Sequence, residues 1–75
     1  EAIKIFKEIV DEHPDFSSAW ENMGIAYALK KDFTNAERCL LKALELSPDN
    51  DNIKLNLYYM YLDKGDEKEA AKYKK

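Results

Sequence analysis

Cysteine is nearly missing from this chain, and the single thiol, Cys39, excludes an intrachain disulfide and any metal cluster built on thiolates. Histidine is equally scarce. His13 stands alone beside Pro14, where an exposed turn position fits better than a metal ligand or a general base. Two glycines and two prolines leave little room for long loops, so almost the whole chain is available for regular structure. No apolar run approaches the roughly 18 residues that would suggest a membrane span, and no basic-then-apolar segment opens the chain. Charge of one sign is not concentrated either. The 15 acidic and 12 basic residues are interleaved and sum to -3, which argues against nucleic acid or an anionic membrane as the main partner. A lone thiol is compatible with a reducing compartment, so the expected location is cytoplasmic, with no cofactor and no metal.

What the chain does have is a period. Alanine recurs at Ala2, Ala36 and Ala70, 34 residues apart each time, and other landmarks keep the same interval. Phe6 maps to Leu40, Ile9 to Ala43, Pro14 to Pro48, Met23 to Leu57, Tyr27 to Tyr61 and Asp32 to Asp66. Self-similarity at this length marks stacked supersecondary units, each too small to bury its apolar face without a neighbour. With 45% hydrophobic and 36% charged residues, the composition is that of a globular chain able to supply such faces.

Apolar spacing makes the units helical. Ala2, Ile5, Phe6, Ile9 and Val10 form one face of a helix over 1–12, which Pro14 ends. A second helix is expected over about 18–30, with Ser17 or Ser18 as its cap and Glu21 completing a capping box with Ser18. Asp32 caps a third, over about 33–46, carrying Ala36, Leu40, Ala43 and Leu44 and stopped by Ser47 and Pro48. The polar run Asp49, Asn50, Asp51 and Asn52 reads as a turn and cap. It has the composition of a calcium loop but neither the spaced glycine nor the distal glutamate. A fourth helix over about 52–63 ends at Gly65, and Asp66 with Glu69 starts a fifth that spans about two turns. Short connections force neighbouring helices to lie antiparallel, so the fold class is all-α, a stack of helical hairpins.

Trp20, Met23, Gly24, Tyr27, Ala36, Leu40 and Pro48 fall on the pattern W-x2-L-G-x2-Y, A-x3-F, P, with Met and Leu as the only replacements. The chain thereby resembles the tetratricopeptide repeat family. The resemblance implies a right-handed α-solenoid in three parts: residues 1–16 as the second helix of a preceding repeat, 17–50 as a complete repeat and 51–75 as a truncated following one. It also implies a scaffold or adaptor module that binds a protein or peptide, and no enzyme activity. The packing set is Trp20, Met23, Gly24, Tyr27, Ala36, Leu40, Ala43, Pro48, Leu57, Tyr61 and Ala70. Gly24 and Ala36 are expected at the closest approach of two helices, and the large residues between hairpins. The last repeat departs from the pattern: Tyr58 stands at the place of Gly24, Lys54 at that of Trp20 and Lys74 at that of Leu40. A solvated outer face or an altered contact to another segment would each account for this.

In the family that this chain resembles, ligands lie in the concave groove lined by the first helix of each hairpin. Carried over, the candidate groove residues are Ser18, Glu21, Asn22, Ile25, Leu29, Asn52, Leu55, Asn56, Tyr59, Leu62 and Asp63. The cations of a carboxylate clamp are missing from these places, so an amphipathic helix or extended apolar segment is the expected ligand, with Asn22 and Asn56 available to its backbone. The alternative, that Ile25, Leu55 and Tyr59 pack on neighbouring helices, stays open. Two other functions remain: a helical-repeat RNA binder, disfavoured by the period and the charge, and a regulatory segment of a larger enzyme. The apolar circumference of the first helix (Ile3, Ile5, Phe6, Ile9, Val10) raises the further expectation of self-association through the ends of the stack.

Overall fold

The computed structural model describes residues 2–74. Five helices follow one another: α1 (Ala2–Glu12), α2 (Ser17–Leu29), α3 (Phe33–Leu46), α4 (Asp51–Lys64) and α5 (Glu67–Ala71). Consecutive helices pack as antiparallel pairs, with no strand among the described residues, and form a solenoid-like stack of the tetratricopeptide kind. Each of α2, α3 and α4 has a helix on either side, whereas α1 lies beside α2 alone and α5 beside α4 alone.

The turns explain where the helices begin and end. Asp32 caps α3 by accepting from the amide of Asn35, Asn50 caps α4 through the amides of Asn52 and Ile53, and Asp66 caps α5 through the amide of Glu69. Each cap satisfies one or two of the amides that a helix start leaves without a partner. Gly65 closes α4 in the left-handed region at φ 90°. The equivalent corner after α2 is made by Lys31 at φ 65°, a conformation that costs a residue with a side chain about 1 kcal/mol.

Two local expectations change. The Ser18–Glu21 capping box does not form: α2 starts one residue earlier, its cap is Phe16, and no side chain bonds to the cap. Ser17 instead accepts a hydrogen bond from the Ser47 hydroxyl at 2.9 Å, and the Phe16 carbonyl accepts from the amide of Ala19. The fifth helix is a single turn and a half rather than two turns. Gly24 lies at a close approach of α2 and α3, where a β-carbon would stand 2.7 Å from Leu40 Cγ and 3.2 Å from the Leu40 amide nitrogen.

Two apolar clusters hold the stack. The larger joins Ala36, Leu40, Ala43, Ile53, Leu57, Met60, Tyr61 and Ala70. Its largest fully buried side chains, Leu40, Ile53, Leu57 and Tyr61, are worth roughly 1.5 to 3 kcal/mol each for the aliphatic members. The smaller joins Ile3 and Val10 to Ala19, Met23 and Cys39, and Trp20 and Tyr27 pack against both. On α1, Phe6 and Ile9 are half-buried and only Ile5 is left largely uncovered, at 57% exposure. Tyr58 lies half-buried with its ring 5.4 Å from that of Tyr59, and Lys74 is exposed.

Candidate functional site

Helices α1 and α3 are amphipathic, as expected for elements with one covered face, whereas α2 and α4 carry apolar side chains around their whole circumference. One side of α2 and α4 fills the clusters described above. The other leaves apolar groups in solvent: Leu29 is 79% exposed, Tyr59 56% and Leu62 39%. Between the two helices lies a cleft of about 170 Å³ lined by Ile25, Leu29, Asn56, Tyr59 and Asp63, with Met60 and Leu40 also reaching it.

Polar contacts tie the cleft walls together. The Asn56 side chain donates to the Glu21 carboxylate at 2.8 Å, which occupies an amide that the sequence left free for a ligand. At the other end Lys31 stands 4.0 Å from Asp63, both well exposed, so this pair is weak. The cleft is therefore an apolar slot between a neutral-to-acidic hydrogen bond and a solvated ion pair.

The remaining candidate residues are placed elsewhere. Ser18 and Asn22 are exposed on α2 outside the cleft lining. Asn52 and Leu55 turn away from it, into a separate hollow of about 370 Å³ that they share with Lys54, Tyr58, Tyr73 and Lys74 at the end of the stack. Stepping by 34 residues from one repeat to the next thus brings five of the eleven groove residues together and separates Asn52 and Leu55 from them. Lys31 and Met60, which were not among the candidates, also line the cleft. Lys31 arrives there through its left-handed backbone, at the corner that Gly65 makes one repeat later.

A third and larger depression, about 530 Å³, lies on the opposite side of α2. It opens where α1 and α3 both pack on α2 with no close approach of their backbones to each other. Trp20, Met23 and Tyr27 form its floor, with Val10 and Cys39 at the walls and Lys7, Asp11, Arg38, Lys42 and Glu45 on the rim. The Trp20 ring is held there by a hydrogen bond from its Nε1 to the carbonyl of Pro14, 2.8 Å. Burial pushes the Cys39 thiol pKa up, against a smaller opposing effect of Arg38, so the thiol is held protonated and is a poor nucleophile. Burial, then the 2.5 Å hydrogen bond that it donates to Glu37, pushes the Tyr61 hydroxyl well above the ordinary phenol range. No group of three or more metal-ligating side chains occurs among the described residues. No helix there is long and apolar enough to cross a membrane.

Comparison with known proteins fits this geometry. Residues 17–50 match the family model described as tetratricopeptide repeat, and the chain therefore carries a repeat region of that family. Repeats of this family are non-catalytic and generally mediate protein–protein interactions. Over 61 residues the chain is also 31% identical to the BBSome complex member BBS4 homolog of Drosophila melanogaster, an alignment covering 81% of this chain and 13% of that protein.

Proposed function

We propose that the chain is a docking module whose α2–α4 cleft takes an amphipathic helix or extended apolar segment of a partner protein. The observation that carries this reading is the exposure of Leu29 and Tyr59 beside a slot already walled by Ile25 and Asp63. Single exposed apolar residues are ordinary, but several converging on one concave slot form the kind of surface that partners cover. A helix laid along the slot would place apolar side chains three or four residues apart against Ile25, Leu29 and Tyr59, and the Lys31 and Asp63 charges at its rim would fix direction. Similarity to a protein named as a member of the BBSome complex supports a role in a multiprotein assembly. In this reading residues 17–50 are one complete unit, and 1–16 and 51–75 contribute parts of its neighbours.

The test is a heteronuclear NMR titration of the chain with a panel of capped amphipathic helical peptides. Shifts are expected at Ile25, Leu29, Asn56 and Tyr59, and Leu29→Asp and Tyr59→Ala should each weaken binding by about 1 to 3 kcal/mol without loss of helicity. Shifts confined to α1, or affinities indifferent to both substitutions, would remove the cleft from consideration.

A further inference from the structure

The junction between α3, α4 and α5 shows what the wider α1–α2–α3 depression lacks. Adding 34 to each residue number carries one junction onto the other. In the second, Tyr61 donates its hydroxyl to Glu37 and stacks on Tyr73, with ring centroids 5.9 Å apart and planes 11° from parallel, while Lys72 bonds to Glu69 at 3.0 Å. In the first, Tyr27 stands at the place of Tyr61 and Arg38 at that of Lys72, but the two carboxylates are replaced by Ile3 and Asn35 and the ring by Cys39. Asn35 is turned to its own cap, donating to Asp32 at 2.8 Å. Among the described residues neither the Tyr27 hydroxyl nor the Arg38 guanidinium has a hydrogen-bonding or ion-pair partner, and both border the depression.

We propose that this depression binds an acidic segment of a partner protein that carries an aromatic side chain. Its ring lies over Tyr27, where Tyr73 lies over Tyr61. One carboxylate accepts from the Tyr27 hydroxyl as Glu37 does from Tyr61, and a second pairs with Arg38 as Glu69 does with Lys72. Charge supports the choice: the rim sets Lys7, Arg38 and Lys42 against Asp11 and Glu45, a local excess of one positive charge on a chain whose net charge is -3. Lys42 is engaged by Glu45 at 3.9 Å, which leaves Lys7 on one bank and Arg38 on the other. A charged hydrogen bond with planar guanidinium geometry suits a carboxylate better than any neutral group. This surface lies on the opposite face of α2 from the α2–α4 cleft, so one chain could hold two partners, or two segments of one partner.

Trp20, the only tryptophan, lies on the floor and reports directly on occupancy. The 75-residue chain is titrated with a capped pentapeptide carrying two glutamates on each side of a phenylalanine, and with its lysine counterpart, following Trp20 emission at low salt. A saturable change is expected with the acidic peptide alone. Arg38→Glu and Tyr27→Phe should each weaken it about tenfold or more, the least loss expected for one charge-assisted hydrogen bond. Tyr59→Ala, in the other cleft, should leave it unchanged, and unaltered melting curves show that the exposed Arg38 variant is folded. No saturable change up to millimolar acidic peptide overturns the proposal. So does equal binding of the lysine peptide, or a loss with Tyr59→Ala as large as with Arg38→Glu.

Discussion

Gly24 has no side chain because α3 leaves no place for one. A β-carbon there would stand 2.7 Å from Leu40 Cγ and 3.2 Å from the Leu40 amide nitrogen, and the second contact cannot be relieved by turning a side chain. Gly65 differs: a β-carbon would meet nothing within 4 Å, and only its φ of 90° favours glycine. Gly24→Leu should therefore cost about 3 kcal/mol or more through overpacking, and Gly65→Ala about 1 kcal/mol through backbone strain alone. Thermal melts giving equal losses, or the reverse order, would contradict the Gly24–Leu40 contact. Both glycines could be found in the sequence, Gly24 from its place in the Trp20–Tyr27 motif and Gly65 from its place after a helix. Lys31 takes the corner that Gly65 takes one repeat later, so the period of 34 marks the corner although the residue's identity does not, and nothing in the sequence marks its place at the edge of the α2–α4 cleft.

Elements are joined to one another by a few tertiary ties, and the strongest polar one is Tyr61 to Glu37, which links α4 to α3 while the Tyr73 stack brings in the segment after α5. The Tyr61 hydroxyl pKa is raised by burial and then by Glu37, so the folded state holds its proton more tightly than the unfolded chain does. Its contribution is complete below the unfolded value near 10 and is lost as pH rises from there toward the folded value, because the unfolded state then binds fewer protons. Tyr61→Phe should lower stability by about 1 kcal/mol at pH 8, and urea midpoints of the two proteins should converge as the pH is raised from about 10 upward and the wild type loses its advantage. A constant difference across that range would mean that the hydroxyl does not sense its burial. Apolar spacing marked α1 and α3, and Asp32 and Asp66 marked the starts of α3 and α5. The start of α2 was not so marked, because the serines at 17 and 18 resemble a cap. The helix begins at Ser17 after Phe16, with no side-chain cap, and Ser17 accepts from Ser47, a residue 30 positions away. Long-range pairs of this kind, like Asn56 with Glu21, leave no local signature, and for that reason the eleven candidate groove residues divide between two hollows and open surface.

At the scale of the whole molecule the two apolar clusters are unequal, and their difference predicts how the stack opens. Helices α3, α4 and α5 share the larger cluster, in which Ile53, Leu57 and Leu40 are almost wholly buried, and α2 packs on it through Trp20, Tyr27 and Ala28. Helix α1 rests on the smaller one through Ile3 and Val10, has only α2 close to its backbone, and faces α3 across the depression above Trp20 and Tyr27. Elements with few buried contacts open locally at a lower free energy than the whole domain. Native-state hydrogen exchange should accordingly show α1 amides exchanging at least about tenfold faster than those of α3 and α4, with little dependence on denaturant, because their opening exposes little surface. Equal protection throughout would make the five helices one cooperative unit in spite of the gap between α1 and α3. The same measurement joins stability to binding. A ligand seated between α1 and α3 holds only the closed form of α1, so it should raise protection there in proportion to its occupancy. A ligand in the α2–α4 cleft lies on the other side of α2 from α1, and should leave those amides as they are.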